Sequence, residues 1–191
     1  MIPFDFLIAI ALIITITLLS GTKIMINSKY TQLISFIIIM YPQLLNFIEG
    51  YNLGYIGITN IIAIFAVFLL IFIWGYRRNR YKYVIHNIEE QDVRNIIENY
   101  LDRKSMKYEV RNEEINLADF NNSIYVRSSI ETTLDCREIK HTNFYNELVD
   151  EVKVGIKNKK RRYFSMEGVL YLIFTLFLIW VRFTFFSKIF R

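Results

Sequence analysis

Apolar residues follow three rhythms along this chain. Long apolar runs dominate its first 76 residues and its end, whereas between them apolar positions recur at every second residue or at helical spacing. The first run, Phe6 to Leu19, extends with its flanks from Pro3 to Gly21. At about 1.5 Å per residue such a helix approaches the roughly 30 Å of a bilayer's hydrocarbon core. Only Asp5 precedes this run, and a secretory leader would need a positive start, so an uncleaved helix is expected. The second run, Tyr30 to Ile48, contains Pro42, Gln43 and Asn46 and predicts a helix kinked in its polar half. The third, Gly54 to Tyr76, is interrupted only by Thr59 and Asn60 and ends in the interfacial pair Trp74 and Tyr76. The fourth, Phe164 to Phe186, holds 13 consecutive uncharged residues from Val169 to Val181 before Arg182.

The middle of the chain reads differently. Tyr83 to Ile88 is rich in strand formers, and Asn87 followed by Glu90 resembles a capping box. Val93, Ile96, Ile97, Tyr100 and Leu101 then trace one buried helical face. Lys107 to Val110, Ile115 to Phe120 and Ser123 to Ile130 predict a meander with turns at Asn112-Glu113-Glu114 and Asn121-Asn122. Glu131 to His141 is ambiguous. Helical spacing resumes over Thr142 to Lys157 through Phe144, Tyr145, Leu148, Val149, Val152 and Ile156. The order β-α-β-β-β-α predicts a two-layer α+β domain, with a ferredoxin-like arrangement as one option. A domain of this size lies near the lower limit for a self-sufficient core, which suggests packing on the membrane helices or a partner.

Charge sharpens the division. Before Trp74 the only charged side chains are Asp5, Lys23, Lys29 and Glu49. From Tyr83 to Ile156 there are 15 acidic and 9 basic residues, flanked by Arg77, Arg78, Arg80 and Lys82 on one side and Lys157, Lys159, Lys160, Arg161 and Arg162 on the other. Short basic loops stay cytoplasmic, so both basic flanks and the Lys23–Lys29 loop are expected inside, with Glu49 and the N-terminus outside. If the last run spans, Arg182, Lys188 and Arg191 fall outside, against that rule. Snorkelling by Arg182 resolves most of the conflict, and an in-plane or re-entrant helix resolves all of it.

Candidate chemistry is sparse. Between Tyr76 and Tyr163 the only glycine is Gly155, which excludes a phosphate-cradling loop and a nucleophile elbow there. A closed Cys/His zinc site needs four ligands, and the chain offers Cys136, His86 and His141. The single cysteine also rules out an internal disulfide framework. The carboxylate pairs Glu89-Glu90, Glu113-Glu114 and Asp150-Glu151 read as a helix start, a turn and a solvated helix face. The basic flanks adjoin hydrophobic runs, so anionic lipid headgroups explain them better than nucleic acid. Gln43, Asn46 and Asn60 are expected to bond between helices, with the lining of a transport path as the alternative.

The chain is thus expected to be an α-helical membrane protein with about four membrane helices in a 3+1 arrangement. Residues 1–76 form the three-helix region, 77–163 an inserted cytoplasmic α+β domain with basic flanks, and 164–191 the last helix. The expected location is the cell membrane, multi-pass, with the N-terminus outside. The expected role is a non-catalytic component whose domain binds a partner or ligand as a regulatory or assembly subunit. An oligomeric channel gated by that domain is the alternative. A membrane enzyme acting on a lipid-linked substrate comes last, because the inner interface shows cations and aromatics but no histidine or clustered carboxylates. Expected partners are anionic lipids and a protein or second copy; no catalytic residue, cofactor, metal or nucleic acid is foreseen.

Overall fold

A computed structural model describes residues 2–160, 163 and 165–186. Along these the elements are α1 (Ile2–Leu19), β1 (Ile24–Asn27), α2 (Ser28–Asn52), α3 (Ile58–Arg78), β2 (Lys82–His86), α4 (Glu90–Arg103), β3 (Tyr108–Arg111), β4 (Glu114–Leu117), β5 (Asn122–Ser128), β6 (Thr132–Asp135), α5 (Tyr145–Asn158) and α6 (Met166–Phe186). Three helices, α2, α3 and α6, are long and apolar enough to cross a membrane. The first run forms a shorter apolar helix over Leu7–Leu19, so three described helices, against the four expected, meet that criterion.

The helices associate as two antiparallel pairs. In the α1–α6 pair, Thr15 and Thr175 meet at 2.9 Å between their hydroxyl oxygens. Ala11, Leu18 and Leu178 are buried. Near one end, Gly168 of α6 lies so close to α1 that a Cβ there would stand 3.2 Å from the Leu19 backbone nitrogen. Small residues allow such an approach in apolar surroundings, where packing and interhelical hydrogen bonds replace the hydrophobic drive. At the other end Arg182 Nε donates to Asp5 Oδ1 at 2.7 Å, so a carboxylate accompanies the cation that conflicted with the charge rule. In the α2–α3 pair Phe36 and Phe72 pack with ring centroids 4.4 Å apart. The helix α2 continues through Pro42. Most of the pair's apolar side chains are exposed, Leu70 at 67% among them. A surface of this kind requires lipid or another protein to cover it.

Separate from these helix pairs is a six-stranded antiparallel sheet in the order β1-β2-β6-β5-β4-β3. Two strands depart from the expected order. The ambiguous stretch after Ile130 contains β6, which pairs with both β2 and β5. The loop between the first two helices contributes β1, whose Ile24 to Asn27 pair with His86 to Tyr83. Because β3 to β6 follow one another without an intervening helix, the topology differs from the β-α-β-β-α-β order of a ferredoxin-like fold, and that option is withdrawn.

Helices α4 and α5 cover one face of the sheet. The expected stripe of Val93, Ile96, Ile97, Tyr100 and Leu101 is buried throughout and meets Leu148, Val152 and Ile156 of α5 over Ile85, Ile115, Ile124 and Leu134. Gly155 allows the two helices to close, since a Cβ there would lie 2.9 Å from the Ile96 side chain. The expected capping box is absent. Glu89 is the N-cap of α4 without a side-chain cap bond. Asn87 instead adopts a left-handed φ of 60° and turns its amide toward α1. An asparagine tolerates that conformation, so the residue serves as a corner.

Candidate functional site

The ends of α1, α2, α3 and α6 meet the sheet along its β1–β2 side. Asn87 Nδ2 donates to the Leu18 carbonyl at 2.9 Å and to the Thr22 carbonyl at 2.8 Å. Asn27 Nδ2 donates to the Arg80 carbonyl at 2.7 Å, and Asn79 Nδ2 donates to Gln32 Oε1 at 2.9 Å. A fourth tie joins His86 Nδ1 on β2 to Glu167 Oε1 in the first turn of α6.

Strand pairing brings in a third group. The β2–β6 register places Ile85 opposite Thr132, and one further step along both chains brings His86 beside Glu131. Side chains alternate across a strand, so His86 lies on the face opposite Ile85 and away from the α4–α5 layer. The ligating atoms of His86, Glu131 and Glu167 all lie within 4.8 Å of one another. Glu167 is buried at 4% exposure. Burial pushes the Glu131 carboxyl above the usual carboxylate range; the His86 imidazole opposes this and the Glu167 carboxylate adds to it.

Two open cavities meet at these carboxylates. One, of about 470 Å³, lies between the start of α4 and the start of α6, with Asn87, Glu90, Ser128, Ser165 and both glutamates in its wall. The other, of about 490 Å³, runs along α6 beside Leu170, Tyr171 and Phe174. The first is polar, and the second leads down an apolar helix face. An imidazole with two carboxylates can hold a proton in several arrangements or offer nitrogen and oxygen donors to a divalent cation.

The residues expected to matter from sequence fall elsewhere. Arg77 and Arg78 end α3, with Arg78 stacked over Trp74 at 5.3 Å from the ring centroid. Arg80 lies over Tyr81 at 5.6 Å. Two of the flanking cations engage the domain's own acids: Lys82 lies 3.6 Å from Asp135 and Lys159 lies 2.9 Å from Asp92. Lys157 and Lys160 are exposed, while Arg161, Arg162, Lys188 and Arg191 lie outside the described residues. Gln43, Asn46 and Asn60 stand exposed on the α2–α3 pair, which does not seal them against one another. Cys136 is fully buried in the core, where burial raises its thiol pKa, and His141 is exposed. Among the carboxylate pairs, Glu113 pairs with Arg127 and Glu151 with Arg103 on the surface, and Glu90 pairs with Arg94.

The cluster itself was missed by sequence reasoning, which found no histidine or grouped carboxylates at this interface. Its one local signal was Glu167, an acid immediately before a long uncharged run, where an ionisable residue is expensive. The chain matches no known family model, no curated protein and no solved structure.

Proposed function

We propose that this protein is a multi-pass membrane component in which a cytoplasmic sheet domain regulates or assembles a membrane complex through a rigid connection to the helices. The observation that carries this reading is β1. A strand lying between α1 and α2 is hydrogen-bonded into the soluble sheet, so displacement of that sheet transmits directly to both helices. A tethered binding module would need only a linker, whereas a relay needs such a shared element. The basic residues beside the helices favour a cytoplasmic domain, with Arg77, Arg78, Lys157 and Lys160 available to anionic headgroups. The exposed flank of α2 and α3 supplies a surface for a protein partner or a second copy.

Cross-linking of the full chain in native membranes, followed by purification and mass analysis, tests the reading. The expected product is a defined complex with a partner or second copy bridged through α2, α3 or the sheet. A monomer without cross-links would overturn it, and unitary conductance of the purified protein in planar bilayers would replace it with the channel alternative.

A second reading, an enzyme acting on a lipid-linked substrate, draws on the polar cluster's continuity with the apolar groove along α6. Turnover of a lipid-linked substrate that is lost in Glu131→Gln would favour it.

A further inference from the structure

We propose that His86, Glu131 and Glu167 form a binding site for a divalent transition-metal cation, which would fasten the sheet domain to α6. The inference does not depend on whether the domain recruits a partner.

The geometry of the three donor atoms suits a single ion. Tetrahedral ligands at bond lengths of about 2.1 Å lie roughly 3.4 Å apart. The three donor atoms already lie within 4.8 Å of one another, so small side-chain rotations would bring them onto one ion. They come from three separate elements or their margins, β2, the turn before β6, and α6, and so converge without being sequence neighbours.

The local charge also favours a cation. Two carboxylates face a single imidazole, and among the described residues no lysine or arginine pairs with either. With both carboxylates ionised the group carries an excess of negative charge, in a place where Glu167 is almost sealed from solvent. Buried charge of this kind is ordinarily paired or bound to a metal. A divalent cation would balance both carboxylates and take a neutral imidazole as its nitrogen ligand.

The neighbouring surface is polar. Asn87 lines the cavity beside the cluster, is 5% exposed, and keeps its Oδ1 without a hydrogen-bond partner. One imidazole and two carboxylates suit zinc or manganese better than calcium, which prefers oxygen ligands alone. Three protein ligands would leave a coordination position facing the cavity of about 470 Å³, open to water or to an anionic group.

The test uses the full-length protein in detergent, purified without a polyhistidine tag, stripped with chelator and dialysed separately against Zn²⁺ and Mn²⁺. The expected result is one ion per chain, with roughly 100-fold or greater weakening in His86→Gln and in Glu131→Gln and no change in His141→Gln. Co²⁺ substitution should give an absorption spectrum typical of nitrogen and oxygen ligands in the wild type only. Metal-free thermal melts verify that each variant is folded, and Glu131→Gln, at the least buried of the two carboxylates, keeps the test valid if His86→Gln is not. Absence of stoichiometric binding by the wild type, or undiminished binding by a folded Glu131→Gln protein, would overturn the proposal.

Discussion

The hydroxyls of Thr15 and Thr175 meet at 2.9 Å inside the α1–α6 interface, both fully buried, with Thr15 also within 2.8 Å of the Ala11 carbonyl and Thr175 within 2.8 Å of the Tyr171 carbonyl. Two protons serve three oxygen contacts, so when one hydroxyl donates to the other it gives up its own helix carbonyl. Interhelical hydrogen bonds of this kind contribute about 0.6 kcal/mol on average in membranes. A double-mutant cycle of Thr15→Val and Thr175→Val, read from unfolding of the detergent-solubilised protein, should give a coupling of about that size. Strict additivity would mean that the hydroxyls do not bond to each other.

Ile97 is completely buried between α4 and the sheet, and Asn99, two residues on, is exposed. Ile97→Asp should destabilise the domain by about 4 kcal/mol or more, because it leaves a carboxylate without a partner in an apolar core. Asn99→Asp should change stability by less than about 0.5 kcal/mol. Thermal melts of the full chain provide the comparison, and equal melting of the two variants would contradict the helix phase.

The ends of α2 and α3 near Asn52 lie away from the sheet, whereas Asn146 sits on the exposed side of α5. Asn52→Cys should react with an impermeant maleimide in intact cells, and Asn146→Cys only after lysis. Cys136 can remain in place, since it is fully buried. Equal labelling of both sites in intact cells would reverse or abolish the proposed orientation.

Glu131 has a raised folded-state pKa, chiefly from burial, so between its unfolded value near 4.3 and its folded value the native state holds more protons than the unfolded chain. Its contribution therefore becomes less favourable as pH rises through that window and stays so above it. In metal-free protein, Glu131→Gln should melt higher than wild type at pH 7, with the difference vanishing near pH 4. Added Zn²⁺ should reverse the order at pH 7 by stabilising only the wild type. A variant that melts below wild type in metal-free buffer at pH 7 would show that the ionised carboxylate is favourably held.

Side-chain periodicity made α4 and α5 legible, because Val93 through Leu101 and Phe144 through Ile156 repeat the helical period over about two and a half and three and a half turns. The apolar runs were equally plain. By contrast, Ile24 to Asn27 is a strand only because β2 lies beside it, and four residues between two helices carry no periodic signal of their own. The strand β6 was hidden for a related reason. Thr132-Thr133-Leu134-Asp135 has one large apolar residue, and its central position depends on partners on both sides. The cluster was least legible, since His86 and Glu167 are separated by 81 positions and no local pattern joins them. Asn87 had a readable preference for a special backbone state, but spacing alone suggested a cap where the fold needs a corner.

The pairing of α1 with α6 also sets an order of events during synthesis. Thr15 and Thr175 are 160 positions apart, and chains elongate at about 5 to 20 residues per second, so α1 waits roughly 8 to 32 s for its helical partner. Throughout that interval β1, α2, α3 and the whole sheet are emerging. The first helix must therefore be retained by the insertion machinery or by lipid alone, and its Thr15 hydroxyl can bond within its own helix to the Ala11 carbonyl while it waits. Arrival of α6 then closes the assembly in a single late step, seating Glu167 against a sheet that has already formed. A nascent chain stalled before Met166 would display the sheet face around His86 uncovered, which makes that face the natural point at which quality control could distinguish an unfinished molecule from a finished one.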